Sequence, residues 1–348
     1  MSRFSERRLV IRIAVSVALI GILLWRIDLG RAGEALFEAN YVYVVPALAL
    51  FGLAKLLVAQ RWQLMMSTFA DLPLGPLFGI LLVSNLANNV VPVRIGDVIR
   101  VQVPAQRYEI SRARLTATVF ATESLLDGVA FAVLGLIGLA LIDLHGFPTG
   151  VFWGVLGLVT GGLVAVVPLS HLKLQDGWQV RGVLARLPEP GQRFVETYVP
   201  HFIDGLAVFR HSRLAVRAIT LSFCIWLLEV GMFALFGLAF GIHLSMPAWM
   251  LIMVAANMVS SVPITPSNIG TYELAVAELM KALGVDTGDA VAFAIATHIF
   301  NVLWITFAGF VAMWALGLSL DDVFSFGRKR DAPPGDDAAM GDPAPARP

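Results

Sequence analysis

Charge is scarce in this chain. Only 14% of its 348 residues are Asp, Glu, Lys or Arg, 57% are hydrophobic, and mean hydropathy is +0.77. Soluble domains carry about 25% charged residues, so this balance excludes an ordinary soluble domain and points to a polytopic membrane protein. The 25 cationic and 25 acidic residues cancel, which removes any global basic surface for nucleic acid. Cysteine is nearly absent. The single Cys224 excludes an intrachain disulfide, a Cys-rich zinc site and iron–sulfur ligation. Catalytic signatures are missing too: there is no HExxH, no GxSxG, no Walker loop and no Cys/His metal spacing. The expectation is a protein that is not an enzyme, with no catalytic residues, no cofactor and no metal.

What the chain does have is long apolar runs, at roughly 9–25, 41–60, 116–141, 149–169, 215–240 and 290–316. Each is long enough, at about 1.5 Å per residue, to cross a hydrocarbon core of about 30 Å. Arg3, Arg7, Arg8 and Arg12 precede the first run, which lacks a small-x-small cleavage site and reads as a retained signal anchor. Two further stretches, roughly 72–105 and 247–284, begin as membrane-grade apolar sequence and then break. The first collects Ser84, Asn85, Asn88 and Asn89, turns at Pro92, and ends in Arg94, Gly96, Asp97 and Arg100. Broken, amide-rich backbone at membrane depth is viable only where protein buries it or it lines a wet cavity.

Cationic residues decide how these stretches thread. Under the positive-inside rule the N-terminal cluster, the arginines of 94–114, the basic loop 170–213 and Arg328–Arg330 all belong to the cytoplasm. That is consistent only if both broken stretches are re-entrant hairpins. The expected fold is therefore all-α: six full spans plus two re-entrant helical hairpins, both termini cytoplasmic, in an inner (cytoplasmic) membrane. Residues 1–327 form a single transmembrane domain, with 170–213 as amphipathic pieces on the cytoplasmic membrane surface. Residues 328–348 form a disordered Pro/Ala/Gly/Asp tail.

A shift of 174 positions superposes Pro92-Val93-Arg94-Ile95-Gly96 on Pro266-Ser267-Asn268-Ile269-Gly270. It also lays 41–60 on 215–234 and 116–141 on 290–315. The chain then contains two units, about 41–141 and 215–316, each span, hairpin, span. Because one starts outside and the other inside, they form an inverted repeat of the kind that frames midplane sites in transporters. The same shift lays Lys55 on Glu229, which predicts either an inter-repeat salt bridge or a lysine reaching the cytoplasmic face. Glu123 and Asp127 lie four apart on one face of their span, and a membrane charge costs about 2.5–3.5 kcal/mol. They must be paired, protonated or facing water. One reading pairs them with Arg94 or Arg100 to fix packing; the other places them in a polar cavity. The candidate cavity residues are Asn88, Asn89, Arg94, Asp97, Arg100, Glu123, Asp127, Asn268, Glu273, His298 and Asn301, with the arginines available for bidentate phosphate contacts.

The pattern Asn88, Pro92, Arg94, Gly96, Asp97, Arg100, followed by Pro266, Gly270 and Glu273, resembles the flippase-like membrane family related to the lysylphosphatidylglycerol synthase transmembrane region. The resemblance runs from residue 9 to about 317. It departs at Asp97, where Glu is usual, at Ser124, where an arginine commonly follows the glutamate, and at Ser267-Asn268, which replace a Gly-rich pair. It implies translocation or binding of an anionic, polyprenyl-linked or hopanoid-type lipid, without a soluble aminoacyltransferase domain. The expected partners are membrane lipid and envelope-lipid biosynthesis enzymes, not nucleic acid. Two rival readings are a membrane-embedded lipid-phosphate transferase and a non-transporting subunit of an envelope-lipid assembly.

Overall fold

Capping and proline placement set the helix boundaries, and hydrophobic length sets which helices are long. The computed structural model describes residues 37–90, 95–142, 201–261 and 265–318, with isolated positions 34, 150, 154, 157 and 161. Four long helices stand out: α1 (Tyr41–Met66), α4 (Arg112–Leu141), α5 (Ser212–Ala239) and α8 (Thr287–Ala315). At about 1.5 Å per residue each exceeds the roughly 30 Å of a bilayer core. Asn40 caps α1 by accepting from the Val42 amide at 3.2 Å, and Asp286 caps α8 through the Gly288 amide at 2.8 Å, each satisfying a first-turn donor. These four helices coincide with four of the six expected spans. The other two, 9–25 and 149–169, lie outside the described residues apart from isolated positions, as do the tail 328–348 and most of 170–213.

Between the long helices lie two shorter pairs. The first is α2 (Leu74–Val90) and α3 (Ile95–Tyr108). The second is α6 (Met246–Ser261) and α7 (Thr271–Ala282). In each pair the two helices fold back and pack on one another, and no single member is as long as the four spans. Among the described residues, Thr265–Gly270 interrupt the second stretch, and the first is two helices that end at Val90 and begin at Ile95. The first helix of each hairpin packs on the last long helix of the other unit, α2 on α8 and α6 on α4. The second packs on the last long helix of its own unit, α3 on α4 and α7 on α8. The most extensive helix contact joins α1 and α5. These two run antiparallel, as the links Asn40–Ala239, Lys55–Glu229 and Arg61–Ser222 require.

One sequence reading needs correction. The expected span 41–60 ends too early: α1 continues to Met66, and Arg61, one position past that end, is only 1% exposed; Asp127 supplies the charge that makes this tolerable. Of the loop 170–213, the described residues 201–213 include a face that packs inward. Leu206 and Phe209 pack with Leu64, Met65 and Ala117 against the ends of α1 and α4.

Candidate functional site: a mid-span polar cavity

Where the two hairpin breaks meet, they touch: Ser267 Oγ donates to the Asn89 carbonyl oxygen at 2.5 Å. Beside this contact is a cavity of about 220 Å³. Asn88 and Asn89 enter it from the end of α2, Asn257 and Ser260 from α6, and Ser267 and Asn268 from the second break. Lys55, Glu229, His298 and Asn301 complete the polar lining from α1, α5 and α8. Lys55, Glu229 and His298 fall within about 5 Å of the midpoints of their long helices, and Asn301 falls at one.

The second break is held in unusual backbone. Ser267 (φ 49°), Asn268 (φ 56°) and Gly270 (φ 86°) all adopt left-handed conformations, which cost a non-glycine residue about 1–2 kcal/mol each. Local bonds hold it there: Asn268 Nδ2 donates to the Ser260 carbonyl at 3.2 Å, and Thr271 Oγ1 to the Asn268 carbonyl at 2.8 Å. Glu273 reaches back to accept from the Gly270 amide at 2.7 Å, closing the first turn of α7. Its other oxygen lies 2.6 Å from His298 Nδ1. Tyr272 stacks on the His298 ring at 4.5 Å and meets Thr297 Oγ1 at 3.2 Å. Glu273 is thus one bond behind the cavity lining, and it orients the histidine.

Across the cavity, Lys55 Nζ donates to Glu229 Oε1 at 3.0 Å and lies 4.5 Å from the Phe51 ring. Glu229 Oε2 also accepts from Asn257 Nδ2 at 3.3 Å. The lysine points inward to this pair, not out to the cytoplasmic face. Three lining atoms are buried and without a partner among the described residues: Asn89 Nδ2, Asn268 Oδ1 and Asn301 Oδ1. They offer one donor and two acceptors, so a bound group that both donates and accepts can satisfy all three.

The remaining sequence candidates lie elsewhere. Asp127 accepts a two-pronged bond from Arg61, with the Nη2 contact at 3.0 Å, and a third from Trp226 Nε1 at 2.8 Å. Ser222 Oγ takes Arg61 Nη1 at 2.7 Å. Arg100 pairs with Glu123 and lies 4.7 Å over the Trp62 ring, and Trp62 donates to Thr118 at 3.1 Å. Glu123 belongs to a π-helical segment, Ala121–Leu126, inside α4. Although close in sequence, Glu123 and Asp127 turn to partners on different helices, and neither they nor Arg100 line the cavity. Asp97 stands in the first turn of α3, away from the lining. Arg94 lies outside the described residues. Sequence reasoning missed Asn257, Tyr272, Arg61 and Trp226; only Asn257 had a signal, an amide in a membrane-grade apolar run.

Comparison with known proteins finds membrane-protein relatives. The family model for the lysylphosphatidylglycerol synthase TM region matches residues 9–309. A UPF0104 membrane protein of Methanothermobacter thermautotrophicus is 24% identical over 334 residues, covering 90% of this chain and 96% of that protein. A second UPF0104 membrane protein, from Methanocaldococcus jannaschii, is 24% identical over 231 residues, covering 65% of this chain and 92% of its own. Glycosyltransferase AglD of Haloferax volcanii is 26% identical over 278 residues, which cover 71% of this chain but 44% of that protein.

Proposed function

This chain belongs to the lysylphosphatidylglycerol synthase TM region family of multi-pass membrane proteins, and we propose that it holds a lipid headgroup in the mid-span cavity and passes it between leaflets. The observation that carries this reading is a lined polar cavity at the midpoints of three long apolar helices. Desolvated amides and charges are expensive at that depth unless something polar engages them. At about 220 Å³ the cavity falls below the roughly 300–1,000 Å³ that enclose a whole drug-sized molecule, so it takes the headgroup and leaves the acyl or prenyl chains in the bilayer. Shuttling a headgroup while the tail stays in lipid is leaflet exchange.

The lining also narrows the headgroup. Arg100 is engaged by Glu123, and among the described lining residues Lys55 and Glu229 neutralise each other. What remains is amide, hydroxyl and imidazole, a set suited to hydroxyl groups, each of which donates and accepts. A sugar or polyol end on a polyprenyl- or hopanoid-type lipid fits better than a bare anion. One relative is itself a glycosyltransferase by name.

The antiparallel α1–α5 pair and the crosswise packing of hairpins on the opposite units support an inverted repeat, with hairpins entering from opposite faces. The sequence separation of Lys55 and Glu229 is itself 174, as expected for a pair on the axis relating the units. The basic loops support an inner-membrane setting with cytoplasmic termini.

Reconstitution tests the reading. The protein is placed in phosphatidylethanolamine–phosphatidylglycerol liposomes doped with a polyprenyl-phosphate hexose, and sugar accessible to external periodate is followed with time. Exchange that exceeds protein-free liposomes, leaves the lipid chemically unchanged and drops in Asn268→Ala supports a translocator. A new lipid product supports a membrane-embedded transferase, and neither supports a non-transporting subunit.

A further inference from the structure

Glu273 is buried behind the cavity lining with both oxygens committed, Oε2 to the Gly270 amide at 2.7 Å and Oε1 to His298 Nδ1 at 2.6 Å. An ionised carboxylate only accepts, so the imidazole turns its Nδ1–H to Glu273. His298 is itself part of the lining. With Nδ1 taken, Nε2 is the ring nitrogen left to meet what enters, and Tyr272, stacked at 4.5 Å, fixes the plane of the ring.

This pair has two proton counts that present opposite chemistry to the cavity. With one hydrogen, that hydrogen bridges Glu273 and Nδ1, Nε2 is bare, and the pair carries a net negative charge. With two, Nε2 bears the second hydrogen wherever the first sits between carboxylate and ring, and the pair is neutral. Around His298 the titratable groups among the described residues are Glu273 and Tyr272 from α7, Glu229 from α5 and Lys55 from α1, while α2 and α6 bring amides and a hydroxyl. Lys55 is held by Glu229 at 3.0 Å. A carboxylate without a cation of its own is expensive at membrane depth, and a proton on the pair removes that cost.

The free atoms of the lining decide which count a headgroup prefers. Asn301 stands three positions after His298, a neighbour on the same face of α8. Its Oδ1 and that of Asn268 are buried acceptors without a partner among the described residues, against one such donor, Asn89 Nδ2. A hydroxyl has one hydrogen to give. While Nε2 is bare it competes with Asn301 Oδ1 for that hydrogen; once Nε2 is protonated, the hydroxyl accepts from Nε2–H and donates to Asn301. Proton uptake turns a clash of acceptors into a matched pair of bonds.

We propose that Glu273–His298 is a proton site coupled to the cavity: binding of a hydroxyl-bearing headgroup draws one proton from water onto the pair, and release of the headgroup returns it. The inference rests on the cavity holding such a headgroup, and it makes leaflet exchange respond to a pH difference across the membrane.

The test is calorimetric titration of the full chain in neutral detergent with a short-chain prenyl-phosphate hexose, repeated in two buffers of different ionisation enthalpy. The difference in heat gives the protons taken up per molecule bound. Scanned across neutral pH, the wild-type count is expected to peak near one, with the dissociation constant rising by up to about tenfold per pH unit. His298→Gln is expected to bind with no proton uptake and an affinity independent of pH, but the wild-type count decides without any variant. In liposomes, exchange under an imposed pH difference is expected to gather the hexose lipid in the leaflet facing the more alkaline side. Wild-type binding without proton uptake, uptake that persists in His298→Gln, or exchange without bias overturns the proton site and leaves the headgroup cavity standing. Failure of the hexose lipid to bind at any pH removes the headgroup reading and the proton site with it.

Discussion

Two buried carboxylates on neighbouring helices show how differently one membrane protein can use the same group. Asp127, on α4, is saturated: two bonds from Arg61 and one from Trp226, with Ser222 holding the arginine from the other side. Glu229, on α5, has one lysine and one amide, and its surroundings open onto the cavity. The basic partners, Arg61 and Lys55, are six positions apart on α1, about 9 Å along the helix. A bidentate guanidinium fixes geometry; an ammonium on a flexible stem can let go. The first centre is closed on itself; the second, on the proposed reading, is the one that exchanges partners.

The sharpest way to break this contrast is to remove Asp127. Asp127→Ala leaves Arg61 charged, 1% exposed and with only Ser222, and removing one partner of a buried pair costs about 3–5 kcal/mol. The expected result in a denaturant titration is a loss of that size, with little folded protein recovered at growth temperature. If Asp127→Ala unfolds within 1 kcal/mol or so of wild type, the cluster is not the structural anchor and the distinction fails.

Lys55→Met comes next. Glu229 keeps Asn257 and cavity access, so the expected destabilisation is smaller, about 1–3 kcal/mol, while exchange of the polyprenyl-phosphate hexose is lost. The charge reversal Lys55→Glu with Glu229→Lys should recover most of the stability, since both residues face one another across α1 and α5. A double-mutant cycle over the four proteins measures the coupling, expected at about 0.5–3 kcal/mol. Coupling near zero would make the contact incidental.

How much of this was legible in the sequence depends on which physical signal each residue left. Lys55 and Glu229 could be matched because the units share a length, and a charge inside an apolar run is conspicuous. The breaks were legible because proline and consecutive amides cannot continue through lipid unsupported. Arg61 was not, because a run-length criterion stops at the first arginine even when Trp62, Leu64, Met65 and Met66 carry the helix onward. Nor was the parting of Glu123 from Asp127, since one helical face can meet two neighbours and sequence spacing does not say where the seam between them falls.

The Ile-Gly repeat is the clearest such case, because one motif serves two purposes. Gly270 needs its φ of 86°. Gly96 instead accepts close approach: a Cβ there would lie 2.7 Å from Asn88 Oδ1 and nearer still to the Ser84 carbonyl oxygen. Its own amide donates to Asn88 Oδ1 at 2.7 Å. Gly270→Ala is expected to cost about 1–2 kcal/mol through backbone strain, read by thermal unfolding. Gly96→Ala is expected to cost more, because there any Cβ collides with the Ser84 carbonyl oxygen.

The smallest change in stability separates structure from function most cleanly. Asn301 lies at the midpoint of α8, and its Oδ1 is buried with no partner among the described residues, so the folded chain carries an unrewarded polar group. Asn301→Leu removes that group at similar volume, and replacing an unsatisfied polar atom by an apolar one is close to neutral or stabilising. Unfolding should shift by no more than about 0.5 kcal/mol or move upward, while exchange of the hexose lipid falls. A variant that is as stable as wild type yet idle would mean that the amide is retained for a ligand, which is the property that sets the cavity apart from the Arg61 cluster. A variant that loses stability and keeps exchange would place Asn301 with Asp127, among the residues that only hold helices together.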